Sequence, residues 1–374
     1  MGSICNELLD ACLREGALPD ALLHRAIVED DGRALLSIVV ERLGDLFDPH
    51  LCQVYERLFT RVIARAAPEL LPRVRPAPPS ARAPATAERI YVLSRVTLGA
   101  DVAVTSVLMD AAKRRYPDAE IVFVGARKSY ELFEADVRVR HLAAPYGRSG
   151  ALSERLTASA ALWFDDGLVF DPDSRLTQLG LLRVCDDANY FFFPSRSYGW
   201  DDSGGGSARL PDLAARWARE HVGVANAAPY IAPLPAAGEP ADITVSLGVG
   251  ENESKRIGGD FERELMRTLA ATGASVVVDK GGSAEERARV EHVVLPGMRT
   301  HEGAFAPFAA QIARSKLFVG YDSAGGHVAS ACGVPLISIA KGFVSERMAA
   351  RWRPVGTVID GNAPDALARV KAAL

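Results

Sequence analysis

Two stretches, "RIYVLSRV" and "EIVFVGA", are continuous apolar runs separated by "DVAVTSVLMDAAKRRYPDA", a helical pattern closed by Pro117. Strands that are apolar on both faces require a sheet covered on both sides. Helical crossovers between parallel strands supply that cover. The same grammar restarts beyond residue 241. "DITVSLGVG", "SVVVDKGG", "KLFVGYD" and "PLISIA" read as strands, interleaved with the helical patterns "GDFERELMRTLAATG", "SAEERARVEHV", "FAPFAAQIARS" and "GGHVASACG". A last helix runs from Pro364 toward Leu374. Between 140 and 200 the pattern is weaker, and "ALWFDDGLVFDPDSRLTQLGLL" and "NYFFFPSRS" supply the remaining strands. A Gly-rich loop at 201–207 precedes the helix "RLPDLAARWAREHVGV". The expected fold class is α/β, with two doubly wound Rossmann-like domains facing a cleft behind a small all-helical domain.

Two Pro-rich segments mark the joints. "PRVRPAPPSARAPATAE" and "AAPYIAPLPAAGEPA" cannot continue a helix and carry little to bury. The expected units are therefore a helical domain at 1–71, a linker at 72–88, an α/β domain at 89–228, an interdomain linker at 229–241 and an α/β domain at 242–374. Within the first unit Asp48-Pro49 forms an N-cap with Pro at the first helical position. Leu51, Val54, Tyr55, Leu58 and Val62 then recur at helical spacing. A chain of 374 residues, 48% of them hydrophobic, exceeds what one core holds.

A net charge of −4 gives no basic face for nucleic acid. No run is long and apolar enough for a transmembrane helix, and the N-terminus lacks a signal-peptide pattern. Asn6 breaks a myristoylation pattern. Five dispersed cysteines without a CxxC pair read as reduced thiols, so a cytoplasmic location is expected.

In doubly wound sheets ligands bind at the turns after the strands. The turn "GYDSAGGHVASACGVP" has Asp322, Ser323, Ala324, Gly325, Gly326 and His327 between a strand and a small-residue helix. Glycines permit close backbone approach, and the first helical amides suit phosphate. The hydroxyl of Ser323 and the ring of His327 add donors. The turn "LGVGENESKRIGGDF" offers Asn252, Ser254 and Lys255, and the lysine is a point charge for phosphate. It lacks a GxGxxG dinucleotide fingerprint. "DKGGSAEERA" places Glu285 and Glu286 at a helix start, where a carboxylate can hold a ribose or sugar hydroxyl. In the other domain "LSRVTLGADVAVTS" places Asp101 after a strand. A carboxylate there, facing a cleft, suits a general base. The phosphate-type turns lie in one half and the candidate base in the other, as in a donor and an acceptor domain.

From residue 89 to about 345 the chain resembles the heptosyltransferase family (glycosyltransferase family 9, GT-B fold). "SKLFVGYDSAGGHVASACGVPLISI" is similar to its signature of strand, Asp, Ser or Thr, Gly, two residues, His, small-residue helix and Gly-x-Pro. The segment "LSRVTLGADVAVTSVLMDAAKRRYPDAEIVFV" is similar to its first strand, Gly-Asp turn and helix. The resemblance implies an inverting, metal-independent transferase with a nucleotide-diphosphate sugar, by family habit ADP-heptose, as donor. It implies no cofactor. By resemblance Asp101 is the base, Lys255 meets the donor phosphate, Glu285 the sugar or ribose, and Met298 the adenine. The "DPDS" at 171–174 stands in the acceptor half, away from the donor turns. Three departures stand out. Ala100 separates the glycine from Asp101, Ala324 replaces a family glycine, and Ser106 stands near a missing proline. The helical domain lies outside the family core and is expected to dimerise, dock a partner or hold an acceptor. The alternatives are a non-catalytic GT-B module that binds a nucleotide sugar, and a GT-B sugar-nucleotide epimerase.

Overall fold

The computed structural model describes residues 2–16, 18–75, 81–144, 146–147, 150–200, 208–235, 238–250 and 252–374. The Gly-rich loop at 201–207 and part of the first linker lie outside the described residues.

The chain opens with helices α1 (Gly2–Glu15), α2 (Asp20–Val28), α3 (Glu41–Asp45) and α4 (Pro49–Ala66). Asp48 caps α4, accepting from the His50 amide at 2.8 Å. The first sheet contains β1 (Arg89–Leu93), β2 (Glu120–Gly125), β3 (Val139–Ala143), β4 (Leu168–Asp171) and β5 (Tyr190–Phe192). Helices α5 (Leu98–Ala100), α6 (Ser106–Arg115), α7 (Arg127–Tyr130), α8 (Leu152–Ala160) and α9 (Leu210–Trp217) accompany it. The second sheet contains β6 (Ile243–Ser246), β7 (Val276–Asp279), β8 (Arg299–His301), β9 (Leu317–Tyr321), β10 (Leu336–Ala340) and β11 (Thr357–Asp360). Its helices are α10 (Phe261–Ala270), α11 (Ala284–Val293), α12 (Phe305–Ile312), α13 (Ala324–Ala331), α14 (Glu346–Trp352) and α15 (Ala366–Ala373).

Strand order is β3-β2-β1-β4-β5 in the first sheet and β11-β10-β9-β6-β7-β8 in the second, with all pairs parallel. Chain direction across the sheet therefore reverses between β1 and β4, and again between β6 and β9. These two crevices are the topological switch points where such folds bind ligands.

The helices at 1–71 do not stand apart. Their core, with Leu43, Val54 and Phe59, is continuous with Leu152, Leu156, Leu179, Leu181 and Leu182 of the first α/β domain. The Tyr55 hydroxyl donates to the Gln178 carbonyl, and Arg175 pairs with Glu41 at 2.8 Å. The two α/β domains also share a core, in which Val104 and Trp217 join Phe318, Val328 and Leu336.

The described residues of the Pro-rich segments are bonded to the surfaces they cross. Arg75 is buried over the Tyr190 ring at 3.9 Å and pairs with Asp187 at 3.2 Å. The amide of Ala83 donates to the His221 carbonyl. In the second segment Ala232 bonds to Leu132, Tyr230 to Ser106, and Arg299 to the carbonyls of Glu239 and Pro240.

Candidate active site

At the β6/β9 switch point three turns converge. Asn252 accepts from the Ser254 amide at 3.1 Å and the Ser254 hydroxyl at 2.6 Å, forming one tight helical turn over Glu253–Lys255. That turn aims Lys255 across the end of β9. Its ammonium donates to the Asp322 carboxylate at 2.6 Å and to the Asp322 carbonyl at 3.1 Å. Asp322 continues the ladder, its amide bonding to the Ile339 carbonyl at 3.0 Å. The turn after β10 adds Lys341, which donates to the Arg256 carbonyl at 2.9 Å.

Ser323 stands in the capping position of α13 in extended backbone, and its side chain makes no capping bond. The hydroxyl and the first helical amides are thus left for an anion. The two glycines of this helix differ in role. A Cβ at Gly325 would meet the Phe318 ring at 2.5 Å, whereas one at Gly326 would meet nothing within 4 Å. Gly325 therefore serves helix–sheet packing, and only Gly326 leaves open space. His327 is half-buried, with its ring edge-on to Trp352 at 5.7 Å. Burial holds its pKa below the usual range and Lys255 adds to this, while Asp322 pulls it up. The imidazole is neutral near pH 7.

The opposite wall is the turn after β1. A Cβ at Gly99 would lie 3.0 Å from the His327 ring and 3.3 Å from the Ala324 Cα. The Gly99-Ala100 turn thus packs closely on the first turn of α13, and a larger residue at 99 would make that turn give way. Ala324 lies at this contact.

Asp101 does not face the cleft. It is fully buried, accepting from the Ser94 hydroxyl at 2.7 Å, the Arg95 amide at 2.7 Å and the Thr105 hydroxyl at 2.8 Å. Burial pushes its pKa up, against those donors. The side chain holds the β1 turn in shape, and the reading of it as a cleft-facing base is corrected. The extra residue Ala100 sits between the glycine at the interface and an acid that turns into the core.

Two donor-side readings also change. Met298 precedes β8, and Arg299 pairs with Val277 near the start of β7, so Met298 lies on the sheet edge opposite the phosphate turns. It packs partly buried against the domain core. Glu285 is exposed. Its neighbour Glu286 folds back, accepting from the Gly282 amide at 3.0 Å and lying 3.9 Å from Arg289, which donates to the Leu247 carbonyl. Glu286 is the carboxylate placed between the β6 and β7 turns.

Several residues with no sequence signal line the same region. Asp279 ends β7, and burial raises its pKa to about 6. Arg95 donates to the Ser195 hydroxyl at 2.7 Å and lies 5.7 Å from the Trp352 ring. The spacing "ERMAARW" in α14 is a helical stripe that identifies Trp352 as inward-facing only once α13 is known to be its neighbour. The aspartates of "DPDS" are committed. Asp171 accepts from the Ser174 amide and the Tyr190 hydroxyl, and Asp173 pairs with Arg196 at 3.0 Å. No group of three or more His, Cys, Asp or Glu suited to a metal occurs among the described residues.

Two doubly wound domains meeting at their switch points define the GT-B architecture. Solved structures match it. E. coli heptosyltransferase WaaC with ADP-2-deoxy-2-fluoro heptose aligns at 15% identity with TM-score 0.54, over 76% of this chain and 98% of that one. WaaC with ADP gives 16% identity and TM-score 0.55, with the same coverage. E. coli ADP-heptose lps heptosyltransferase II gives 18% and 0.52, over 76% and 97%. Residues 250–356, in the C-terminal half of the chain, match the family model of glycosyltransferase family 9 (heptosyltransferase). That segment contains Lys255, Asp322 and all of α13 and α14. No curated protein matches the chain. No helix among the described residues is long and apolar enough to cross a membrane.

Proposed function

We propose that this protein transfers a heptose from ADP-heptose to an acceptor hydroxyl, with inversion, without a metal and in the cytoplasm. The observation that carries the reading is the Lys255–Asp322 pair beside the open N-terminus of α13, inside the family 9 segment. The acceptor oxygen attacks the anomeric carbon from the face opposite the diphosphate and gives up its proton to water, and the bond from that carbon to the diphosphate oxygen breaks with its electron pair going to the diphosphate. The leaving charge grows at a place already lined by an ammonium, helix amides, the Ser323 hydroxyl and a neutral His327. Donors fixed in advance stabilise developing charge without reorganising. Asp322 aims the lysine and keeps its charge balanced until the diphosphate arrives. Glu286 is placed to accept from a ribose or sugar hydroxyl. Asp101 shapes the facing wall and, enclosed by three donors, does not take the acceptor's proton in this conformation.

Calorimetric titration of ADP, UDP, GDP and ADP-heptose into the wild type and Lys255→Met tests the donor assignment. ADP and ADP-heptose should bind, and the variant should lose at least about tenfold, ~1.4 kcal/mol. Preference for UDP or GDP would overturn the heptose assignment, and equal ADP affinity in the variant would remove Lys255 from the site.

A further inference from the structure

A cavity of about 270 Å³ lies where α4 of the helical unit meets the end of β5 and the segment after it. Cys52 and Glu56 form its helical wall, and Arg196, Tyr198 and His221 face them. The Glu56 carboxylate has no hydrogen-bond or ion-pair partner among the described residues, and burial pushes its pKa up against the pull of Arg196. Arg196 is 6% exposed. Its Nε holds Asp173 and its Nη2 reaches the Leu179 carbonyl, but its buried Nη1 has no partner.

These groups narrow the occupant. Two carboxylates, Glu56 and Asp173, stand against one guanidinium, which is the wrong balance for a phosphate or a carboxylate. A carboxylate on the cavity wall with no protein donor is satisfied by hydroxyls, which donate to it. The ring of His221, stacked on Trp217 at 5.4 Å, and the ring of Tyr198 offer flat surfaces to C–H groups. The volume falls below the roughly 300–1,000 Å³ of drug-sized pockets, which suits a single ring. A hydrogen-bonded chain links the cavity to the cleft. Asp173 accepts from the Ser195 hydroxyl at 2.8 Å, and Ser195 accepts from Arg95 of the β1 turn at 2.7 Å.

We propose that this cavity seats one neutral sugar ring of the acceptor, and that the helical unit supplies Glu56 to hold its hydroxyls. The proposal rests on the sugar-transfer reading above. Ligand-observed NMR on the full-length protein tests it, using the methyl glycosides of glucose, galactose, mannose and heptose, with ADP affinity measured alongside. At least one glycoside should bind. Glu56→Gln, which keeps the side-chain size, should weaken it at least about tenfold, ~1.4 kcal/mol. Ser197→Trp, which fills the cavity from its other side, should abolish it. ADP affinity should stay unchanged in both variants. Absence of glycoside binding, or binding that neither variant alters, overturns the proposal. Glycoside binding lost in the variants, in a protein that binds no nucleotide, would instead sink the donor reading and keep the cavity.

Discussion

Asp101 stands two residues after Gly99 and opens a helix, a pattern that reads as an ordinary N-cap or a cleft-facing acid. Its three donors come from the turn before it and the helix after it, so the carboxylate ties Ser94, Arg95 and Thr105 together. Removing it strands buried donors, each costing ~1–3 kcal/mol. Asp101→Ala should therefore destabilise by several kcal/mol, while Asp101→Asn, which keeps one acceptor, should retain the fold and ADP binding. The pH dependence has a definite sign. Burial raises the pKa of Asp101 above its ordinary 3.8, and raises that of Asp171 to about 6. Folded protein then holds protons that unfolded chain releases, so these groups make stability fall as pH rises from about 4 to 6. Chemical denaturation across that range should give a flatter profile for Asp101→Asn than for wild type. An unchanged slope, or loss of turnover with unchanged stability and slope, would restore Asp101 as a catalytic base.

Helix α14 joins all three parts of the chain. Arg347 donates to the Phe47 carbonyl at 3.1 Å and lies over the Trp200 ring at 3.9 Å. Arg351 donates to the Tyr198 carbonyl at 3.0 Å, and Trp352 meets His327 and Arg95. Arg351 is fully buried, and its Nε and Nη2 have no partner among the described residues. Burial, with the nearby Arg347, lowers its pKa to about 10. A guanidinium buried without a carboxylate loses more solvation than a single carbonyl bond restores. Arg351→Met should accordingly leave the melting temperature unchanged or raise it. Arg347→Ala should lower it, because losing a cation–π contact and a charged hydrogen bond costs ~1–2 kcal/mol of stability. A fall of several degrees for Arg351→Met would show that its charge is needed at the interface. None of this was readable from "SERMAARW" alone, because the partners lie some 150 and 300 positions earlier. The strand-ending turn at Asp322 was readable, because its residues are local to one switch point.

The division of the whole chain into helical, first α/β and second α/β parts was legible because each part has its own hydrophobic period. The edge strand "VRHLA" and the three-residue β8 were not, since Arg140, His141 and Arg299 interrupt any apolar run. Nor could spacing tell which end of β8 would hold Met298. The Pro-rich segment at 72–88 suggested that 1–71 is a separate module. The packing argues otherwise. Deleting 1–71 would uncover Leu152, Leu156, Leu179, Leu181 and Leu182, all buried now. At ~1.5–3 kcal/mol for each buried leucine, the loss is on the order of 10 kcal/mol. That rivals the ~5–15 kcal/mol net stability of a folded protein. Arg175 would also lose its partner Glu41. A fragment of 72–374 should therefore be insoluble, or soluble without a cooperative melt. A soluble fragment melting within a few degrees of the full chain would show that the helices are a detachable module, and that Glu56 came to the cavity from a unit the transferase does not need in order to fold.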